Sequence, residues 1–249
     1  MSNYVILLPP SEGKNKGGEE DLKLSFSELD SFRAKVLADL KSTLCSLDDE
    51  SLMKVFKVQN LNNIKSFDYS KKSCMKAIDR FSGVMFKAID YDSLENKDNF
   101  DESVVFVDAL FGLLKAQDSI FDYKLMMGTK LKSIKTDKFW KQILRLENFE
   151  FFKNKIIFNL LPNTHRASVD LENIKVFNIN FFDKTKEELK NTGHKSKKLK
   201  GEFVRFICSK EHVSVEDLMN FKHSEGYLFC EKTSDLKSRN VHYVKNASN

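Results

Sequence analysis

The chain has 249 residues, 41% of them hydrophobic and 31% charged, with a formal net charge of +5. That length is ample for a proper core in one large domain or two small ones, and the balance is that of a soluble globular protein, not a disordered or fibrous one. No apolar run approaches the roughly 18 residues of a membrane-spanning helix, and the mild positive charge permits a nucleic-acid partner without requiring one.

Taken in chain order, Tyr4 to Leu8 is an apolar run stopped by Pro9 and Pro10, which reads as a buried first strand. It delivers a loop, Ser11 to Gly18, whose three glycines permit a tight path. Ser25 and Glu28 have the spacing of a capping box. Leu29, Phe32, Val36, Leu37, Leu40 and Leu44 then follow helical spacing. Shorter helices are expected over 49–58 and 71–89. The stretch 101–131 is mixed: Val104 to Val107 opens either a strand or a helix, and Gly112 and Gly128 bracket a hairpin-like segment. Strands are expected over 155–161 and 176–182, the second alternating apolar and polar residues as a half-buried strand does. A helix near 201–209 follows, then a short one over 214–221 capped by Ser214 with Asp217. Residues 227–230 and 241–244 read as closing strands, and the last few residues as loose. The whole reads as one α+β domain over 1–249, a mixed sheet with surrounding helices, without repeat or linker. Its 22 Phe, against one Trp and six Tyr, point to a Phe-rich core.

Cys45, Cys74, Cys208 and Cys230 are far apart, and no signal peptide is evident. This reads as reduced thiols in a cytoplasmic protein. His165, His194, His212, His223 and His242 sit in unrelated segments, none with metal-ligand spacing, so neither a metal nor a cofactor is expected. His194 and His223 flank the two motifs described next and are second-tier candidates. A G-x-S-x-G nucleophile motif is absent, and Cys208 falls in an apolar helix.

Positive charge is concentrated. Residues 190–200 hold five Lys and no acid, whereas 90–102 is mostly acidic. Lys197, Lys198 and Lys200 open a helix that continues to Arg205; with a start near Lys197, Lys198 and Arg205 share a face. Cations gathered where a helix begins suit phosphate, and the alternative is a solvated Lys-rich helix start. Ser224-Glu225-Gly226-Tyr227 offers a carboxylate that serves as a base or orients a cation, together with a phenol. Its alternative is a plain β-turn with Gly at a positive φ. The loop carrying Ser11, Glu12 and Lys14 lacks Walker spacing, yet a loop after a first strand often faces a ligand crevice. Phe111 to Asp118 reads either as the turn of a helix-hairpin-helix, which binds phosphate through backbone N–H groups, or as an ordinary helix–helix turn.

These motifs, in this order, resemble the YaaA family of peroxide stress proteins nearly end to end. The resemblance rests on Pro9 to Lys14; on Leu110-Phe-Gly-Leu-Leu-Lys-Ala-Gln-Asp118 with Tyr123-Lys-Leu-Met-Met-Gly128; on Asn159-Leu160; on Lys197 to Gly201 with Arg205; and on Ser224 to Tyr227. This chain has Lys at 115, 124 and 200 where the family has Arg, Met126 where a Glu is common, and Asn163-Thr-His-Arg166 where Asp-Glu-Tyr is often seen. Lysine keeps the charge and loses the bidentate fork. The resemblance implies the family's unusual topology, a helix-hairpin-helix-like element, a positively charged cleft, DNA binding and a context of hydroperoxide stress, where family members help limit the damage done by free intracellular iron.

The leading expectation is therefore a cytoplasmic DNA-binding protein, selective for structure and not sequence. Lys115, Lys124, Lys197, Lys198, Lys200 and Arg205 would be its phosphate contacts. The second is an enzyme acting on a nucleotide, nucleobase or other phosphorylated small molecule, with Glu12, Lys14, Glu225 and Tyr227 as its candidate catalytic groups. A third is an iron-linked regulator or partner-binding protein. A narrow pocket joining the N-terminal loop to the Lys197/Glu225 region favours the enzyme; cations spread along an open groove favour DNA.

Overall fold

Strand β1 (Tyr4–Leu8) is fully buried. A computed structural model of the chain describes residues 2–65, 73–185 and 188–246. After β1 come α1 (Asp30–Ser46), α2 (Asp49–Phe56) and α3 (Asn62–Lys65), then β2 (Met75–Lys76), α4 (Ala77–Arg80), α5 (Val84–Ile89) and α6 (Lys97–Ser103). The middle of the chain gives β3 (Val104–Asp108), β4 (Gly112–Lys115), β5 (Ser119–Ile120), α7 (Thr136–Ile143), β6 (Ile156–Asn159) and α8 (Asn163–Arg166). The last part gives β7 (Val176–Lys184), β8 (Leu189–Asn191), α9 (Ser196–Cys208), α10 (Val215–Asn220), β9 (Leu228–Phe229) and β10 (Asn240–Asn246).

The main sheet runs β4-β3-β1-β6-β7-β10-β9, with β8 paired to β7. Strands β3, β1, β6, β7 and β10 are parallel to their neighbours; β4, β8 and β9 join antiparallel. The sequence shows why. Tyr4-Val-Ile-Leu-Leu8 and Val104-Val-Phe-Val107 are continuous apolar runs, as strands covered on both faces must be. Strand β7 alternates buried and half-buried residues. The result is an α+β architecture, a mixed sheet with surrounding helices. No helix among the described residues is long and apolar enough to cross a membrane.

Several expectations are corrected. Ser25 does not cap a helix: its N–H and hydroxyl donate to Asp118 Oδ1 at 2.9 and 2.6 Å, and α1 starts later, after a 3-10 turn. The single helix expected over 71–89 is β2 and two short helices, broken around Gly83 at a φ of 115°; residues 71 and 72 lie outside the described residues. Phe111 to Asp118 is not a helix–turn–helix. It is the second arm of a β-hairpin, with Phe106 opposite Leu114 and Asp108 opposite Gly112. Asp108 shapes the turn by accepting from the N–H groups of Leu110 and Phe111 at 2.7 and 2.9 Å. Buried Arg33 of α1 donates to the carbonyls of Phe111 and Leu113, which covers this edge strand. The helix over 214–221 is borne out as α10, with the Ser214–Asp217 capping box present.

Candidate functional site

Strand β1 lies between β3 and β6, and the chain visits the β3 side first and the β6 side afterwards. Where successive connections leave a strand in opposite directions, the loops beyond the carboxyl ends part and leave a crevice. Here those loops are the one after β1, the Asp108 turn after β3 and the segment after β6 that enters α8. Two cavities of about 820 and 690 Å³ open there, and Glu12, Lys14 and Lys124 line both. Pro162, Thr164 and His165 form the β6 side of the second.

Lys14 is held between the cavities from beneath. Its Nζ sits 4.2 Å from the centroid of the Tyr123 ring and 5.7 Å from that of Phe81, and donates to Ser11 O at 3.2 Å. The Tyr123 hydroxyl donates to Asp108 Oδ2. Burial raises the Asp108 carboxyl, opposed by the Tyr123 hydrogen bond and the field of Lys14. Burial also lowers the Lys14 amine to about 8, against the pull of Asp108 and Asp122. Arg80, fully buried, fixes the loop that carries Lys14: it donates to the carbonyls of Asn15, Gly17, Ser73 and Ile120 at 2.5, 2.9, 3.1 and 3.2 Å. Gly18 meets the same support at a φ of 107°, where a Cβ would lie 2.4 Å from Cys74 O.

Further lysines border the crevice. Lys16 lines the first cavity, and Lys54, Lys57, Lys130 and Lys135 the second. Of these, Lys54 pairs with Glu50 at 2.6 Å and Lys135 with Asp137 at 3.5 Å. Lys124 lies 4.0 Å from Glu12.

The other residues singled out in the sequence fall in different places. Lys198 pairs with Glu225 at 2.8 Å and approaches Glu202 at 3.8 Å, which raises its amine and lowers the Glu225 carboxyl. Ser224 donates to Glu202, and His223 Nε2 lies 2.9 Å from Glu202 Oε2. Tyr227 donates to Asp183 at 2.5 Å, and Gly226 takes the positive φ expected of the turn. This cluster ties α9 to the segment before β9, and neither Lys198 nor Glu225 lines the two cavities. Lys197 is exposed. Lys200, on the other side of α9, donates to Leu160 O at 2.8 Å, and burial lowers it to about 8. His165 is lowered to about 4 by burial and by Lys200.

Like Lys198 and Lys200, two more of the expected phosphate contacts have partners within the fold. Arg205 donates to the carbonyls of Ile89 and Asp90 at 2.6 and 2.9 Å and to the Ser93 hydroxyl, closing the C-terminus of α5. Lys115 donates to Glu102 O at 2.6 Å with its amine 3.5 Å from the Phe151 ring centroid; burial, then nearby Lys155, lowers it to about 7. Gly201 serves the crossing of α9 with α5, where a Cβ would lie 2.6 Å from both Ala88 Cβ and Met85 O.

Asp108, Tyr123, Arg80 and the lysines at 16, 54, 57, 130 and 135 were not foreseen as site residues. Asp108 carried a usable signal, a carboxylate ending an apolar strand.

The fold and crevice define an α+β protein that presents amines beyond the carboxyl ends of a parallel sheet centre. The chain belongs to the peroxide stress protein YaaA family: the family model of that description matches residues 4–233. It is 25% identical over 249 residues to a UPF0246 protein of Francisella tularensis subsp. mediasiatica, a match covering 93% of this chain and 96% of the relative. A UPF0246 protein of Rickettsia peacockii is 30% identical over 206 residues, covering 78% of this chain and 83% of that relative.

Proposed function

We propose that this chain binds the phosphate backbone of DNA at the crevice, in the cytoplasm, as part of a response to hydroperoxide stress. The observation that carries the reading is the charge of the two cavities. Seven lysines (14, 16, 54, 57, 124, 130 and 135) border them, against Glu12, Asp122 and Asp137. Lysines on open ground contact phosphate as point charges, which gives affinity without reading bases. The sequence supplies no helix rich in Arg, Asn and Gln to read a major groove, so binding follows DNA structure and not sequence. The family's name supplies the stress context.

This reading moves the contact surface from α9 to the crevice. Lys124 stays in the set, Lys115 and Arg205 leave it, and Lys197, Lys198 and Lys200 are not needed for it. The test is lysine acetylation in the presence and absence of duplex and junction DNA. Protection of Lys16, Lys54, Lys57 and Lys130 by at least about threefold is expected. Protection confined to Lys197 and Lys198 would return the surface to α9, and no protection anywhere would reject DNA binding.

A second reading, an enzyme acting on a phosphorylated small molecule, is favoured by Lys14. A desolvated amine beside a buried Tyr–Asp pair is an arrangement found at reaction centres.

A further inference from the structure

We propose that Lys14 is a nucleophilic amine that captures the aldehyde of a phosphorylated sugar, with its Nζ seated on the Tyr123 ring in the wall shared by the two cavities.

A weak set of partners and access to both cavities together mark out Lys14. An ammonium has three donors and, when buried, gathers acceptors for them. Lys14 has one, Ser11 O at 3.2 Å, and among the described residues no carboxylate lies within 4.0 Å of it. The nearest buried carboxylate, Asp108, is already engaged by the N–H groups of Leu110 and Phe111 and by the Tyr123 hydroxyl. What faces the amine is aromatic: Tyr123, then Phe81. Lys200 and Lys115, also desolvated, each have a single but closer acceptor, a backbone carbonyl at 2.8 and 2.6 Å, and Lys115 likewise lies over a ring, that of Phe151; what sets Lys14 apart is that neither of them lines either cavity. Lys14 alone of the three opens to both.

The depressed affinity of this amine for its proton supports the same role. At pH 7.5 a group titrating near 8 is roughly a quarter neutral, against about one part in a thousand for an ordinary lysine. The substrate class follows from the surroundings. Lys124 and Lys16 share the first cavity with Lys14 and hold phosphate, and its roughly 820 Å³ admits a pentose phosphate.

The step is balanced without a cofactor. The Nζ lone pair forms a bond to the carbonyl carbon while the carbonyl π pair moves to oxygen. One amine proton reaches that oxygen, giving a carbinolamine. The hydroxyl then leaves as water with a proton taken from solvent in the open cavity, and the nitrogen lone pair closes the iminium. Nothing is oxidised or reduced.

Such an aldehyde comes from two sources, a free sugar phosphate or an abasic site in DNA. The second source rests on the DNA-binding reading; the first does not. The experiment is reductive trapping with sodium cyanoborohydride of the full chain against ribose 5-phosphate and against a duplex carrying one abasic site. Intact mass and peptide mapping read the adduct, and anisotropy with the same duplex lacking the abasic site runs in parallel. One adduct at Lys14 from either probe is expected, falling at least about tenfold in Lys14→Arg, which keeps the charge and the contact with Tyr123 but is a poor nucleophile. Mapping the wild-type adduct decides the matter even where the variant folds poorly. An adduct spread over exposed lysines, one undiminished in a folded Lys14→Arg, or no adduct with either probe would overturn the proposal. Capture of ribose 5-phosphate at Lys14 without binding to intact duplex would keep this inference and refute the DNA reading. Duplex binding without any Lys14 adduct would do the reverse.

Discussion

Arg80 and Lys115 show what a buried cation does in this molecule when it is not part of the crevice. The Arg80 fork donates to four backbone carbonyls, and so holds the Lys14 loop against the body. Arg80→Met removes those donations and should lower stability by about 2–4 kcal/mol in urea unfolding. Arg80→Lys should recover only part, since one ammonium cannot span the fork; full recovery by lysine would show that charge alone matters there. For Lys115, the folded amine titrates near 7 and the unfolded one near its ordinary 10.5. Between those values the unfolded chain holds the extra proton, so this group's contribution to stability rises with pH across about 7 to 10.5. Wild type should therefore gain on Lys115→Met as urea midpoints are followed from pH 6.5 to 10, and a constant difference would contradict the burial described. Neither role was legible in the sequence. A lysine's or arginine's place in a motif does not say whether its partner is a ligand or a carbonyl brought close by tertiary packing, and Lys115 and Arg205 both looked like phosphate contacts for that reason.

At the scale of elements, α9 meets α5 more closely than a side chain allows. Gly201→Ala should gain about 1 kcal/mol in helix propensity and lose more to the 2.6 Å clashes with Ala88 and Met85, for a net loss of about 1–3 kcal/mol by thermal or urea unfolding. A neutral or stabilised Gly201→Ala would mean that the helices do not cross there. The strands were the most readable part of the fold. β1, β6, β7 and β10 announced themselves through apolar runs or alternation bounded by turn residues, and α1 and α10 through periodicity and a cap. The segment 111–118 was not readable, because Gly112 suits a helical turn and a β-turn equally. What decides between them is Asp108 accepting two turn N–H groups and Arg33 covering the strand edge, and both are contacts made only in the folded chain. The Ser25–Glu28 spacing misled for the same reason: Asp118, 93 residues away, takes the serine.

At the scale of the whole molecule, the sheet order brings the loop after β1 beside the segment after β6. That juxtaposition, and no single motif, makes the crevice. The sequence pointed to the first loop and to Lys14, Glu12 and Lys124. It could not show that Lys54, Lys57, Lys130 and Lys135, from α2 and from the segment entering α7, would gather opposite that loop. Of the α9 cluster, most conspicuous as a charge run, Lys198 is drawn into pairs with Glu202 and Glu225 and Lys200 into a hydrogen bond to Leu160 O, while Lys197 stays exposed. The direct test of this account is the salt dependence of DNA affinity in two variants, one with Lys16, Lys54, Lys57 and Lys130 changed to Gln and one with Lys197 and Lys198 changed to Gln. Each lost phosphate contact should make the log–log slope shallower by about 0.9. The account predicts a slope shallower by about 3–4 in the crevice variant and unchanged in the α9 variant; an unchanged slope in the crevice variant with a shallower one in the α9 variant would contradict it.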